Sequence, residues 1–238
     1  LAGVAALTKF FLALYLYGQS RVDWQQVIAM VAMLTILVGN LAALWQTNLK
    51  RMMAYSSIAQ SGFLLLGLVA FSMQGIHVLI FYSVAYLLAN YLVFFVIQRV
   101  ETAGIHTFQQ LAGTGKKNVL INIFILIGLI SLTGLPPTAG FTAKLFVFTG
   151  VWQAYLSREK VIFLSLFLIG LLNTAIALFY YLRAPYYAFL KPADTAIIVV
   201  TNSFLKNLFG LLLVLALLTL FFRPDLLMGW INRINFVL

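Results

Sequence analysis

Cysteine is absent from this chain and acidic residues nearly so, with five Asp and Glu in 238 residues. The first absence excludes a disulfide framework, a thiolate zinc site and a cysteine-ligated iron–sulfur cluster, so electron carriers of that kind belong to other chains. Charge of either sign is scarce. Charged residues make up 8% of the chain and hydrophobic ones 63%, with a mean hydropathy of +1.04. Soluble domains carry about 25% charge, so a soluble globular fold is excluded. What remains is an all-α polytopic transmembrane bundle with room for about seven crossings of roughly 20 residues each.

The net charge of +10 does not point to nucleic acid, because the basic residues fall at the ends of apolar runs, where Lys and Arg anchor helices and set orientation. The runs are 1–17, 24–45, 52–71, 77–98, 118–155, 161–190 and 204–222, and the stretch 99–117 is the longest polar joint. Residues 1–222 read as one transmembrane domain and the tail 223–238 as an interfacial segment. Leu1 stands where a methionine would open a chain, and 1–17 lacks the basic leader and cleavage site of a signal peptide, so the start is expected to be missing. Alternating sides puts Lys50, Arg51, Arg99, Lys116, Lys117, Arg183 and Lys191 on one face, the expected cytoplasmic one, against Arg21, Arg158, Lys160, Arg223 and Arg233.

The run 118–155 is too long for one upright helix and short for two, and it contains "GLPPTAGFTAKLFVF", Gly134 to Phe148. Pro136 and Pro137 break the backbone pattern between Gly134 and Gly140, predicting a single crossing made by a discontinuous helix. Lys144 follows the break. Lys9 lies in "LAGVAALTKFFLALYLYG", roughly 12 Å of helix from either end, beyond the easy reach of a snorkelling side chain. An ammonium group held at such depth faces protein or internal water, and a buried lysine can load and release a proton. The competing interpretation is two lysines that snorkel or pair structurally.

All five acids (Asp23, Glu101, Glu159, Asp194 and Asp225) fall in joints or the tail, so neither lysine has a membrane carboxylate in this chain. That argues against a retinal Schiff base, which needs a counter-ion. Asn40, Ser57, Gln60, Ser61, Tyr82, Tyr86, Asn90, Asn122, Ser131 and Asn173 are uncharged polar residues at depth, suited to helix packing or internal water. His77, at a helix start, is a candidate relay between the lysines, with an ordinary structural histidine as the alternative. "GTGKK" at 113–117 lacks the flanking residues of a phosphate loop.

"QTNLKRMMAYSSIAQSGFLLLGL", Gln46 to Leu68, resembles the signature of the antiporter-like membrane subunits of respiratory complex I and of multisubunit cation/proton antiporters. "GLPPTAGFTAKLFVF" is similar to the broken helix of that family. "QTN" before the basic pair, Gly-Leu-Pro-Pro and "YYLRAPYYAF" (Tyr180 to Phe189) are most similar to the subunit N branch of proton-pumping NADH:quinone oxidoreductase, called subunit 2 in mitochondria. The family is built on two inverted repeats, each with one discontinuous helix. The chain resembles the helix closing the first repeat, the whole second repeat and the last helix.

The resemblance implies that Lys9 is the central lysine joining two half-channels, Lys144 the lysine of the second broken helix, and Lys50 a basic position near the cytoplasmic end. It implies proton translocation in a bacterial inner membrane, driven by quinone reduction in other subunits. No cofactor is implied for this chain, and its partners would be the other membrane subunits of complex I, an N-terminal half of the same subunit, and lipid. The family's membrane glutamate and first-repeat lysine would lie upstream of Leu1. A subunit of a sodium/proton antiporter is the nearest alternative.

Overall fold

The computed structural model describes residues 3, 6–10, 13, 22–69, 72–193, 200 and 203–233. Its helices are α1 (Trp24–Leu44), α2 (Leu49–Val69), α3 (Met73–Glu101), α4 (Val119–Thr133), α5 (Ala139–Arg158), α6 (Val161–Pro185), α7 (Phe204–Phe222) and α8 (Pro224–Ile231). No strand occurs among the described residues. Residues 3, 6–10 and 13 are helical, and the rest of the expected first run lies outside the described residues.

Helices α1, α2, α3, α6 and α7 are each long and apolar enough to cross a membrane. Both their inward and outward faces are apolar: Leu34, Val38, Leu172, Phe179 and Leu212 are exposed, as suits surfaces solvated by lipid tails. Small residues let α1 and α2 approach closely. A Cβ on Gly39 would stand 2.4 Å from the backbone nitrogen of Ala59, so a side chain there would separate the pair.

Helix ends in an apolar medium need donors for their last carbonyls. Gln25 Nε2 donates to the carbonyl of Val69 at the end of α2, 3.0 Å away. Arg183 Nη1 donates to the carbonyls of Leu44 and Gln46 beyond α1, at 3.1 and 2.9 Å, with its guanidinium over the Phe108 ring. At the start of α1, Asp23 Oδ1 accepts the Gln26 N–H.

Ion pairs sort the ends of the bundle. Asp23 pairs with Lys160 and Arg158 at one end. At the other, Lys50 meets Glu101 at 3.1 Å, and Arg99 Nη1 donates to Asn207 Oδ1 at 2.9 Å. The joint after α3 belongs to the Lys50 end, since the Leu49 and Phe108 N–H groups bond to the carbonyls of His106 and Thr47. The chain turns 117° from that joint into α4. Because α4 begins at the Lys50 end and α5 finishes beside Asp23, the two together cross once, as expected of a broken helix.

Several boundaries differ from the sequence expectation. Helix α3 begins at Met73 rather than His77, because Ser72 Oγ accepts the Gly75 N–H as an N-cap. Helix α6 passes through Pro185 into a wider π-helical turn, Tyr186–Leu190. The polar joint is not a loose linker: Ile105, Phe108 and Leu111 in it are buried.

Candidate functional site

The break between α4 and α5 is built from its carbonyls. Gly134 has φ +86°, a left-handed conformation that glycine adopts without strain. There its N–H reaches the carbonyls of Ile130 and Ser131, and the Leu135 N–H reaches Ile130, a Schellman closure. Two carbonyls, those of Leu132 and Thr133, then remain at the C-terminal, negative end of the α4 dipole.

Side chains from two other segments take them. Gln60 Nε2 on α2 donates to the Leu132 carbonyl at 2.8 Å, and Lys144 Nζ on α5 donates to the Thr133 carbonyl at 2.6 Å. The lysine is only 4% exposed. Its ammonium also stands over the Phe63 ring, 4.4 Å from the centroid, where the ring's negative face attracts a cation. Among the described residues no ion pair links Lys144 to a carboxylate.

Gly140 fixes how closely the half-helices overlap. A Cβ there would lie 1.7 Å from the Ser131 carbonyl oxygen, and the Gly140 N–H donates to Ser131 Oγ at 3.3 Å. Pro136 and Pro137, joined by a cis peptide, carry the chain between the halves.

Two spaces flank the break. A cleft of 490 Å³ is lined by Lys144, Gly134, Phe141, Trp152, Phe167 and Thr174. A cavity of 10 Å³, about the room of one water, is lined by Gln60, Tyr82, Tyr86, Ser131 and Gly140. The larger cleft is apolar and opens at the surface, where Leu145, Trp152 and Leu171 are exposed, and Lys144 stands in its wall.

The other expected residues sit elsewhere. Lys50 is at the start of α2, its side chain 61% exposed and paired with Glu101. His77 is half-buried in the second turn of α3, far along the helix from Glu101 at its other end. Lys9, expected to face protein or internal water, lies on an exposed helical surface with Leu7 and Phe10. Depth in an apolar run fixes height along a helix but not the direction a residue faces.

Sequence reasoning missed Tyr180 and Tyr181, both fully buried. Tyr180 donates to Asn40 Oδ1 at 2.8 Å, and Asn40 Nδ2 donates to Asn173 Oδ1 at 3.2 Å. Tyr181 donates to Ser56 Oγ at 2.9 Å. The signal available was spacing, since Ser56, Gln60 and Phe63 at i, i+4 and i+7 share one face of α2.

A bundle crossed by a broken helix, with a buried amine set against a half-helix end, defines the class: a multi-pass helical membrane protein with one interrupted span. The chain belongs to the NADH:quinone oxidoreductase/Mrp antiporter transmembrane family, whose model matches residues 1–176. A protein of Acidobacterium capsulatum named NADH-quinone oxidoreductase subunit N 2 is 38% identical over 215 residues, covering 90% of this chain and 42% of that one. Subunit N of Chlorobium chlorochromatii is 39% identical over 171 residues, 71% of this chain and 32% of the relative. The chain thus spans less than half the length of these curated relatives.

Among solved structures, a chain of respiratory complex I from Thermus thermophilus superposes with a TM-score of 0.68 at 27% identity, covering 85% of this chain and 44% of that chain. A chain of the Mrp complex from Dietzia gives 0.78 at 20% identity, covering 88% and 46%, a likeness of fold alone.

Proposed function

We propose that this chain forms the latter half of a subunit N-type membrane subunit of a proton-pumping NADH:quinone oxidoreductase, and that Lys144 loads and releases the translocated proton. The observation that carries this is the enclosed amine at the end of α4, 4% exposed and without a carboxylate partner among the described residues. The relatives' names favour this branch over the sodium/proton antiporters. Lys9, Lys50 and His77 are proposed as further members of the relay. Lys9 would be completed by groups from outside the described bundle, including an N-terminal half of the same subunit.

The chain itself performs no redox chemistry in this reading and holds no cofactor. Quinone reduction in other subunits of the complex shifts the protonation of the relay, and the site's contribution is to bind, orient and shield one amine. The proposed location is a bacterial inner membrane, with the Lys50 end cytoplasmic.

Replacing the lysine tests the reading. In the assembled complex in proteoliposomes, Lys144→Ala is expected to lower proton pumping about tenfold or more while assembly persists. Lys144→Arg keeps a positive donor but cannot give up its proton, so pumping should stay lost. Full pumping by either assembled variant would refute the proposal.

A further inference from the structure

Gln60 is 3% exposed and joins four helices through one amide. Its Oε1 accepts from the Tyr82 hydroxyl on α3 at 2.6 Å. Its Nε2 donates to the Leu132 carbonyl of α4 at 2.8 Å and to the Tyr181 hydroxyl of α6 at 3.3 Å. The Tyr181 hydroxyl in turn donates to Ser56 Oγ, one turn before Gln60 on α2.

The orientation of that amide follows from chemistry. A carbonyl only accepts, so the group facing Leu132 must be Nε2, and a flipped amide would set two acceptors together. Tyr82 and Tyr181 hold the working orientation from either side. One turn further along the same face, Phe63 lies under the ammonium of Lys144.

The Leu132 and Thr133 carbonyls are neighbours at one helix end. With Leu132 occupied by Gln60, the amine of Lys144 is assigned to Thr133. If Gln60 let go, a second bare carbonyl in an apolar surrounding would compete for the same ammonium group. We propose that Gln60 is the positioning residue of Lys144, holding the end of α4 so that the amine has one carbonyl partner and the break stays closed around it. The proposal deepens the reading of Lys144 as the proton-loading group and rests on it, but its primary test does not use pumping.

That test measures how fast Lys144 is acetylated by acetic anhydride in the assembled complex, read by peptide mass spectrometry with exposed Lys50 as internal reference. Gln60→Met keeps length and removes the amide. Lys144 acetylation relative to Lys50 should rise about fivefold, the ratio that one net hydrogen bond represents. Gln60→His, with one donor and one acceptor, should return most of the protection. Asn40→Leu, a comparably buried polar change at the α1–α6 contact, should leave the ratio unchanged.

An unaltered ratio in Gln60→Met, or an equal rise in Asn40→Leu, overturns the positioning role. Should Gln60→Met fail to assemble, Tyr82→Phe removes only the donor to Oε1 and should raise the ratio about twofold, and no rise there overturns it as well. Loss of pumping in Lys144→Ala with an unaltered ratio in Gln60→Met removes the positioning role and leaves the function standing. Normal pumping in Lys144→Ala with faster acetylation in Gln60→Met upholds the positioning and refutes the function.

Discussion

Lys144 and Lys9 occupy similar stretches of sequence and opposite settings in space. The first is buried against α2 and α4, with a carbonyl at 2.6 Å and an aromatic face under its charge. The second stands on an open helical surface beside Leu7 and Phe10, which are 42% and 52% exposed. The difference teaches that a hydrophobic run sets the depth of a charge, whereas enclosure is a property of the elements packed around it. For Lys144 those elements are in this chain. For Lys9 the described residues supply no such enclosure, and the chain accounts for 42% of the length of its Acidobacterium relative.

The sharpest way to break this contrast is to load each setting with extra volume. Gly140→Val places a side chain where even a Cβ would be 1.7 Å from the Ser131 oxygen. It should cost more than about 3 kcal/mol and empty the membrane of assembled subunit on an immunoblot. Gly3, beside the Lys9 segment, has no atom within 4 Å of a built Cβ. Gly3→Ala should be neutral in the same assay, and a loss there would reveal a tightly packed cover on that side.

Lys9→Ala carries the comparison to function and should have the next largest effect. If Lys9 is the central member of the proposed relay, its loss backs up the coupled cycle, and quinone reduction by the intact complex should fall several-fold, about the scale of a lost proton-transfer group at its low end. An unchanged rate would separate the two lysines and confine the relay to the enclosed one.

The smallest effect concerns the Asp23 end, where charges are partly solvated. Hydrogen bonding from Lys160, with help from the Gln26 N–H and Arg158, holds the Asp23 carboxyl below its usual range despite its partial burial. A depressed carboxyl contributes stability above its unfolded value, and the contribution is lost as pH falls through the folded one. Lowering pH from about 5 to about 3 should therefore cost the native chain more thermal stability than Asp23→Asn. The difference should be at most about 1 kcal/mol because the pair is screened. Equal losses would remove the pair from the ledger.

Much of the bundle was legible because burying about 20 apolar residues in hydrocarbon dominates every local preference. The runs leading to α1, α6 and α7 match within a few residues. The break was legible too, since Gly134, Pro136 and Pro137 interrupt an otherwise apolar stretch. Other features had no such signal. Lys144 is held by a backbone carbonyl, and no letter in a sequence marks a carbonyl left free by a Schellman turn. The joint after α3 looks polar because its charges are conspicuous, yet Phe108 and Leu111 tuck beneath the bundle end. Tyr180 and Tyr181 point into adjacent contacts, and only the winding of α6 decides which partner each one meets.

An amine bonded to a carbonyl differs from one bonded to a carboxylate in how it can discharge. The Thr133 oxygen cannot accept the proton itself, and an uncharged amine still has two hydrogens with which to hold it. In the proposed relay Lys144 therefore surrenders its proton while staying tethered to Thr133, so that each cycle begins and ends with the nitrogen moored at the same berth.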